Sequence, residues 1–367
     1  MGCFCVIIKT IKIKKKFIYI LVITIIIVLI FSYIFYNSKS TNISSNFSWI
    51  KENIDDKENS INNINKKDYI KWVDFKVTCE ALEDTAKLDI ESHNKNEKIK
   101  YNWIEMLSYL ACKNGGDFKK YKKSDLEKLK KQLDEGVQIN EITKNMKYFS
   151  YYYESLYAIL SNYIGEYEIE KKDKEGNVKY EEKYGIKAFL PIAKNYSFSH
   201  YDDFGASRSY GFKRRHLGND LLGNIGTPII AVESGTIQHL GWNKYGGWRI
   251  GIRSLDNKRY YYYAHLRKNH PFAKDLYIGK KVTAGDVIGY LGMTGYSTKE
   301  NVNNINIPHL HFGIQLIFDE SQFDSSHEIW INVYEIIEFL KKNRSEVFMN
   351  DYKTKEYVRK YNIKEKI

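Results

Sequence analysis

Proline and cysteine are both scarce in this sequence of 367 residues, which contains 4 of each. Every proline lies at position 191 or later, so the first half lacks the residue that most often breaks a helix. The cysteines are Cys3, Cys5, Cys79 and Cys112, and no two of them form a Cys-x-x-Cys pair. The sequence therefore argues against a cysteine-based metal site and favours a largely helical first half.

Acidic residues are absent from the amino-terminal segment. The first sixteen residues include five lysines, and residues 17–36 form an apolar run without a charge. About twenty apolar residues can cross the roughly 30 Å hydrocarbon core of a bilayer as a helix, and a basic flank stays in the cytoplasm. We therefore expect a cytoplasmic tail (1–16), a transmembrane helix (17–36) and a single-pass cell-membrane protein whose remaining chain is extracytoplasmic. A cleaved signal peptide is the rival interpretation, but its apolar core is usually shorter and ends at small residues.

Residues 37–67 are mostly Ser, Asn, Lys and Asp, a composition that cannot bury a core and that predicts a flexible linker. Cys79 and Cys112 would then lie outside the membrane, where they could form a disulfide or remain two buried thiols.

The formal net charge of +12 fits a protein that works beside an anionic envelope. Because the lysines are scattered rather than gathered in one stripe, we expect no nucleic-acid partner.

Residues 68–165 show helical periodicity and predict a helical domain. Gly115 and Gly136 should end its first two helices, and Ser124 with Glu127 should form the capping box that begins the second. The sequence names no role for this domain, and we expect it to bind an envelope partner or the cell wall, or to control access to the site described below. The predicted apolar stripes are Trp103, Met106, Leu107 and Leu110; Leu126, Leu129 and Leu133; and Met146, Phe149, Tyr153, Tyr157 and Leu160.

The second half of the chain has the period of β-strands. Residues 166–187 alternate around a Glu-Gly-Asn turn and predict a β-hairpin connector, and short β-rich runs punctuated by glycine follow over residues 188–320. We expect a mostly antiparallel β domain there, so that the fold class is α+β and multidomain. In the segment 321–367, Trp330, Val333, Ile337 and Leu340 predict an amphipathic helix packed on the outside of the β domain. The charged final twenty residues should be loosely held.

Two short motifs nearly a hundred positions apart offer ligands for a metal ion. His309 and His311 are two residues apart and would project to one face of a strand. His216 and Asp220 are four apart, an even offset that also places both on one side of an extended segment. Gly218 between them argues against the helix that a His-Glu-x-x-His site needs. The pattern predicts a metal site built on a β-sheet, with the ligand types that Zn²⁺ prefers.

The sequence between these motifs resembles the LytM/lysostaphin family of zinc endopeptidases, which cut peptide cross-links in bacterial peptidoglycan. The resemblance runs from about residue 204 to residue 316 and depends on several glycine- and tyrosine-containing pieces in the family's order. Those pieces lie at 226–228, 234–236, 242–247, 262–266, 282–289 and 292–295. It implies a compact two-sheet β peptidase domain with a groove over residues 188–320.

Carried over residue by residue, the resemblance implies one zinc ion per chain, with His216, Asp220 and His311 as its ligands. His265 and His309 become the two non-ligand catalytic histidines, one of which accepts a proton from the zinc-held water while the other orients that water or stabilises the developing oxyanion. Tyr210 matches a tyrosine that helps to hold the oxyanion in many members. Asp286 and the remaining histidines are expected to be structural or exposed; those histidines are His93, His200, His239, His270 and His327.

Two functions from different classes are compatible with these motifs. The first is a membrane-anchored zinc metalloendopeptidase that hydrolyses peptidoglycan. The alternative is a non-enzymatic envelope or sporulation scaffold that uses the same domain for protein binding, as some relatives do after losing metal ligands. Because this chain keeps all five metal-site residues, the enzyme is favoured. The bond that is cut has no readable code in the sequence.

Overall fold

The computed structural model describes residues 69–95, 97–173, 175–209 and 213–365. The predicted cytoplasmic tail, transmembrane helix and linker lie outside the described residues, as does Tyr210. Within the described ranges, no helix is both long and apolar enough to cross a bilayer.

The amino-terminal part of the described chain is helical, with the limits that its capping residues impose. In the second helix the Asn102 side chain accepts hydrogen bonds from the N–H groups of Ile104 and Glu105, and Gly115 ends the helix at φ 64° as predicted. Leu82, Leu107, Leu110 and Leu129 are fully buried. The helices are α1 (Cys79–Asn94), α2 (Trp103–Asn114), α3 (Lys123–Asp134), α4 (Ile139–Thr143) and α5 (Phe149–Leu160), with a 3₁₀ turn at Phe118–Lys120.

The predicted capping box of α3 is wrong. This helix begins at Lys123, its N-cap is Lys122 without a side-chain hydrogen bond, and Ser124 lies inside the first turn. Burial of Leu126 and Leu129 determines where the amphipathic helix lies, and a cap worth about 1 kcal/mol does not shift it.

The predicted stripe of α5 is only partly right. Phe149 and Leu160 are buried, but Tyr153 and Tyr157 are half-buried and stack on one another with ring centroids 6.0 Å apart. Leu156 and Ile159 supply the buried face instead. An amphipathic ring tolerates the half-exposed position better than an aliphatic side chain does.

Cys79 and Cys112 are free thiols, which resolves the alternative that the sequence left open. Burial raises the pKa of Cys79 to about 12 and that of Cys112 to about 11. Both therefore stay protonated and unreactive at neutral pH.

The carboxyl-terminal helix is shorter than predicted. It contacts the β domain, where its Tyr334 ring lies 4.7 Å from the His200 ring, and it also contacts the helical region. Helix α6 covers Tyr334–Leu340, whereas Trp330 lies in the strand Ile329–Ile331. The Phe339 ring of α6 stacks on the Trp103 ring of α2 with centroids 5.9 Å apart. This helix thus packs against the helical region, because that region also presents an apolar face.

All paired strands in the described residues are antiparallel, which confirms the predicted mostly antiparallel β domain. The strands are β1 (Ile164–Lys172), β2 (Val178–Ile186), β3 (Ser207–Ser209), β4 (Lys213–Arg215), β5 (Asn219–Leu222), β6 (Pro228–Ile230), β7 (Gly235–Asn243), β8 (Gly247–Ser254), β9 (Arg259–Ala264), β10 (Lys281–Val282), β11 (Val287–Tyr290), β12 (His309–Leu316), β13 (Ile329–Ile331), β14 (Val347–Asp351), β15 (Glu356–Arg359) and β16 (Ile363–Glu365). A 3₁₀ turn lies at Glu320–Gln322.

The main sheet has seven strands in the order β10-β7-β8-β9-β12-β13, with β5 also pairing with β12. Strands β1 and β2 form the hairpin that the alternation around the Glu-Gly-Asn turn predicts. Smaller two-stranded sheets pair β6 with β11, β3 with β4 and β14 with β15. Side chains of the main sheet without exposed surface include Ile237, Ile250, Ile252, Tyr263 and Phe312.

The expectation of a loose carboxyl-terminal tail is wrong for the described residues. Strand β16 adds to the β1–β2 hairpin, with Ile363 opposite Ile169. Ile363 also packs in a buried cluster with Phe189, Ile230 and Ala284. A few apolar residues in a charged stretch are enough to form a paired strand when they alternate and pack against an apolar surface.

A buried arginine joins the helical region to the main sheet. Arg259 at the start of β9 is 0 % exposed, and its guanidinium binds both carboxylate oxygens of Glu233 at 2.8 and 2.9 Å. The same group donates to the Ala158 carbonyl at the end of α5. These hydrogen bonds fix the first residue of β9, and the last residue of this strand directly precedes His265.

Candidate metal centre

Neighbouring strands place two of the predicted ligands opposite each other. Asp220 of β5 faces His311 of β12 across the antiparallel pair, and Ala264 of β9 flanks His311 on the other side. His309 lies two residues earlier on β12 and projects to the same face. The period-two argument for the His-x-His motif therefore holds.

His216 reaches the same point by a route that the sequence did not predict. Strand β4 ends at Arg215, and a bend at Gly218 precedes β5, so His216 and Asp220 do not share one extended strand. The bend brings His216 into the site nevertheless. Its side chain is almost fully buried, at 4 % exposed.

Three donor atoms converge at this point. His216 Nε2, Asp220 Oδ1 and His311 Nδ1 lie 3.0 Å from one another in each of the three pairs. Two imidazole nitrogens and a carboxylate oxygen are ligand types that zinc prefers, and here all three are directed at one point.

The spacing fits a tetrahedral zinc ion. Zinc bonds of about 2.0–2.1 Å to nitrogen and oxygen put the corners of a tetrahedron about 3.3 Å apart. The observed 3.0 Å edges need only a small expansion to accept the ion. Three protein ligands also leave one position of the tetrahedron for water or substrate, the arrangement of a catalytic site.

Gly218 is required by the close approach of two strands at this site. A Cβ atom at this position would lie 2.6 Å from the Phe312 carbonyl oxygen and 2.7 Å from His311 Nε2. Its φ lies outside the left-handed region, so space alone excludes a side chain. The residue that argued against a helix in the sequence thus keeps room for a ligand.

The two further histidines flank the three donors. His265 is 5 % exposed, and its Nδ1–H donates to the Thr294 carbonyl at 2.8 Å, which leaves Nε2 as a proton acceptor. His309 donates in the same way to the Ile307 carbonyl at 2.8 Å, and its Nε2 lies 3.7 Å from Asp220 Oδ1. The two rings are 4.8 Å apart and His265 is 6.0 Å from the His311 ring.

The protonation states suit metal binding. Burial opposes ionisation of Asp220, but hydrogen bonds from His216 and His311 outweigh it and hold the pKa of this carboxyl well below its usual range. Burial lowers the pKa of His311, and burial together with the neighbouring imidazoles lowers the pKa of His265 well below its ordinary value. At neutral pH the carboxylate is ionised and these imidazoles are neutral, which are the forms that bind zinc or accept a proton.

Two residues behind the ligands escaped the sequence analysis. An oxygen of Asp203 lies 3.1 Å from His216 Nδ1, so a carboxylate orients the ring of a ligand. Arg208 pairs with Asp203 and also approaches Asp220 Oδ2 at 3.2 Å, which leaves Oδ1 for the metal. No spacing rule marks either residue, because Asp203 lies in the loop before β3 and Arg208 lies in β3 itself.

The other singled-out residues have structural contacts. His200 bonds Asn219 at 2.7 Å and Glu338 at 2.6 Å, away from the three donors. Asp286 accepts from the Thr283 N–H at 2.8 Å in a turn before β11, as the sequence predicted. In the described part of the chain, the group of residues that could hold a metal is His216, Asp220 and His311.

The sequence matches the profile described as "Peptidase family M23" over residues 214–324, a stretch that contains the three donors, His265 and His309. The chain carries a peptidase family M23 domain. The resemblance to the LytM/lysostaphin family is thereby confirmed, and zinc is the metal that both the family and the donor set of this M23 domain indicate.

Named relatives match part of this chain. The chain is 35% identical over 153 residues to the L-Ala--D-Glu endopeptidase of Bacillus subtilis, covering 42% of this chain and 45% of the relative. It is 42% identical over 98 residues to lysostaphin of Staphylococcus staphylolyticus, covering 26% and 18%. The crystallised catalytic domain of lysostaphin from Staphylococcus simulans is 31% identical, with 38% of this chain and 92% of that one covered and a TM-score of 0.30. The match spans less than half of each curated relative.

Proposed function

We propose that this protein is a zinc metalloendopeptidase that hydrolyses peptide bonds of bacterial peptidoglycan and is anchored in the cell membrane by a single helix. One observation carries the enzymatic part: three zinc-type donors converge at 3.0 Å while two further histidines lie beside them. The activities named for the similar proteins, an L-Ala--D-Glu endopeptidase and lysostaphin, support a peptide substrate in the cell wall.

Each residue of the site has a chemical task in this proposal. His216, Asp220 and His311 would hold the zinc ion, which would supply the Lewis acidity that polarises a peptide carbonyl and lowers the pKa of water. His265, whose Nδ1–H is committed to the Thr294 carbonyl, offers Nε2 to take a proton from the attacking water. The proton held on His265 Nε2 can then pass to the leaving amine. His309 is also oriented by a backbone carbonyl and is less enclosed, with 14 % of its side chain exposed, so it can face the substrate.

The scaffold alternative has no support in the geometry. A domain used only for protein binding has no need for buried, oriented imidazoles, whereas both His265 and His309 have their ring tautomers set by backbone carbonyls. Retention of this arrangement favours hydrolysis.

Digestion of purified peptidoglycan by the full-length protein tests the enzymatic proposal. New amino termini should appear, and mass spectrometry of the fragments should identify the bond. A chelator should abolish cleavage, and zinc should restore it. Absence of new termini with zinc-loaded protein would overturn the proposal, whereas release of reducing sugars alone would indicate a glycosidase.

Topology is the second part of the proposal. The apolar run at residues 17–36 should act as an uncleaved anchor with the carboxyl terminus outside. By flexible-chain scaling, the linker at residues 37–67 would let the M23 domain reach on the order of 30 Å beyond the membrane. Protease added to intact protoplasts should digest the M23 domain and spare only a short amino-terminal piece. Full protection, or a mature protein starting near residue 37 in the medium, would refute the anchor.

A further inference from the structure

The short hairpin that precedes the metal ligands carries two arginines on one face. Arg208 of β3 and Arg214 of β4 are register partners, so their side chains project to the same side of the hairpin. The residues on either side of Arg214, Lys213 and Arg215, are exposed, while Arg214 is half-buried. The shared face is the one that meets the metal centre, because Arg208 contacts Asp220 there at 3.2 Å.

The two guanidinium groups differ in how their charges are balanced. Arg208 is paired with the carboxylates of Asp203 and Asp220. Arg214 has no carboxylate partner among the described residues: its Nη2 donates to the Tyr296 hydroxyl, and its guanidinium lies over the Tyr296 ring at 5.2 Å. Its Nε is buried and makes no hydrogen bond within the same part of the chain.

The position of Arg214 places this charge beside the reacting groups. The Tyr296 ring on which it lies is 5.8 Å from the ring of His265. The guanidinium therefore lies at most about 11 Å from the His265 ring, the length of roughly three extended residues. A peptide bound at the metal centre is within reach of this charge.

A half-buried guanidinium opposite a second arginine destabilises the fold unless an anion balances its charge. Like charges directly across an antiparallel pair destabilise it, and a charge that is partly removed from water needs a counter-charge nearby. A carboxylate can satisfy both, because its two oxygens match the planar fork of a guanidinium.

We propose that Arg214 is a substrate-binding residue that recognises a free carboxylate on the peptide next to the scissile bond, so that the preferred substrate is an acidic peptide. This inference rests on the proposed function and deepens it. Arg214 selects the substrate, whereas His265 and His309 handle protons.

Two synthetic peptides that differ by one group test this assignment: L-Ala-γ-D-Glu-L-Lys with a free α-carboxylate on the glutamate, and the same peptide with that group as a carboxamide. The full-length, zinc-loaded protein should bind the acid about 10- to 100-fold more tightly than the amide, as one charge-assisted hydrogen-bonded pair provides. Arg214→Gln should remove this preference, and Arg214→Lys should keep part of it because a point charge remains.

Arg215→Gln is the matched control, since it removes the same charge from the adjacent exposed position and should leave the preference unchanged. All variants should hold the same amount of zinc, which shows that the site is intact. A wild-type protein without preference, or an equal preference in Arg214→Gln, would refute the assignment. The binding ratio is independent of cleavage: failure to cut peptidoglycan would overturn the proposed function and leave this result to be judged separately.

Discussion

Replacement of Gly218 by alanine tests whether close packing, rather than ligand chemistry alone, determines zinc affinity. The new Cβ would lie 2.6 Å from the Phe312 carbonyl oxygen, 2.7 Å from His311 Nε2 and 2.8 Å from His311 Cε1. Ordinary contacts between such atoms are about 3.5 Å. The His311 ring must therefore move by roughly 0.7–0.8 Å and the Phe312 carbonyl oxygen by roughly 0.9 Å, or the strands must separate by a similar distance.

Such a shift exceeds what a metal site accommodates, because ligand distances hold to about ±0.2 Å. We expect Gly218→Ala to weaken zinc binding by at least about 100-fold, in addition to a loss of about 1–3 kcal/mol from overpacking. Since bound zinc stabilises the fold by mass action, a 100-fold weaker affinity removes about 2.7 kcal/mol of that stabilisation at a fixed free zinc concentration.

Competition with a chromophoric chelator measures the affinity, and thermal unfolding with and without chelator separates the metal-dependent part of the loss from the packing part. Gly185→Ala is the control, because its Cβ would meet only the Tyr167 hydroxyl at 4.0 Å. Wild-type zinc affinity in Gly218→Ala would refute the reasoning, and it would mean that the bend before β5 moves freely enough to make room.

Three further predictions concern individual side chains of the site. His311→Ala should leave the chain without stoichiometric zinc, because three ligands offer no redundancy; full occupancy by metal analysis would remove His311 from the ligand set. His265→Ala and His309→Ala should retain zinc but lower kcat by roughly two to four orders of magnitude, and loss of metal in either variant would place that histidine among the ligands instead. Asp203→Asn should weaken zinc binding by about 10- to 100-fold in the chelator assay, since it keeps the shape but removes the charge behind His216; an unchanged affinity would make this carboxylate a partner of Arg208 alone.

The sequence predicted those parts of the site that depend on local period. His309 and His311 share a face because strands alternate, and the type of each donor follows from zinc chemistry. It did not predict the backbone path that places His216 in the site, because a bend between two strands leaves no periodic signal in the sequence. Asp203 and Arg208 were missed for a related reason: they matter because they contact His216 and Asp220 in the folded chain, which no sequence spacing reveals.

The fold shows the same division. Helices with strong apolar stripes and a glycine at the end, such as α2 with Gly115, were predictable. The start of α3 was not, since burial of its leucines outweighed the capping signal at Ser124. The carboxyl-terminal strands were missed because Ile363 is buried only by residues far away in the chain. The composition of that stretch shows only that it is charged.

The pairing of β16 with β1 also bears on the order in which the molecule folds. The hydrogen bonds between Glu170 and Asn362 join residues 192 positions apart. Contacts of such long range form late, because the entropy of closing the loop is lost before any contact is gained. Until β16 pairs with β1, the β1–β2 hairpin therefore has one unpaired edge. It keeps this unpaired edge while the rest of the chain, including the M23 domain, is synthesised. An unpaired edge of this kind is where newly made chains pair with one another, and the exposed lysines and glutamates of β2 keep the other edge of the same hairpin from doing so.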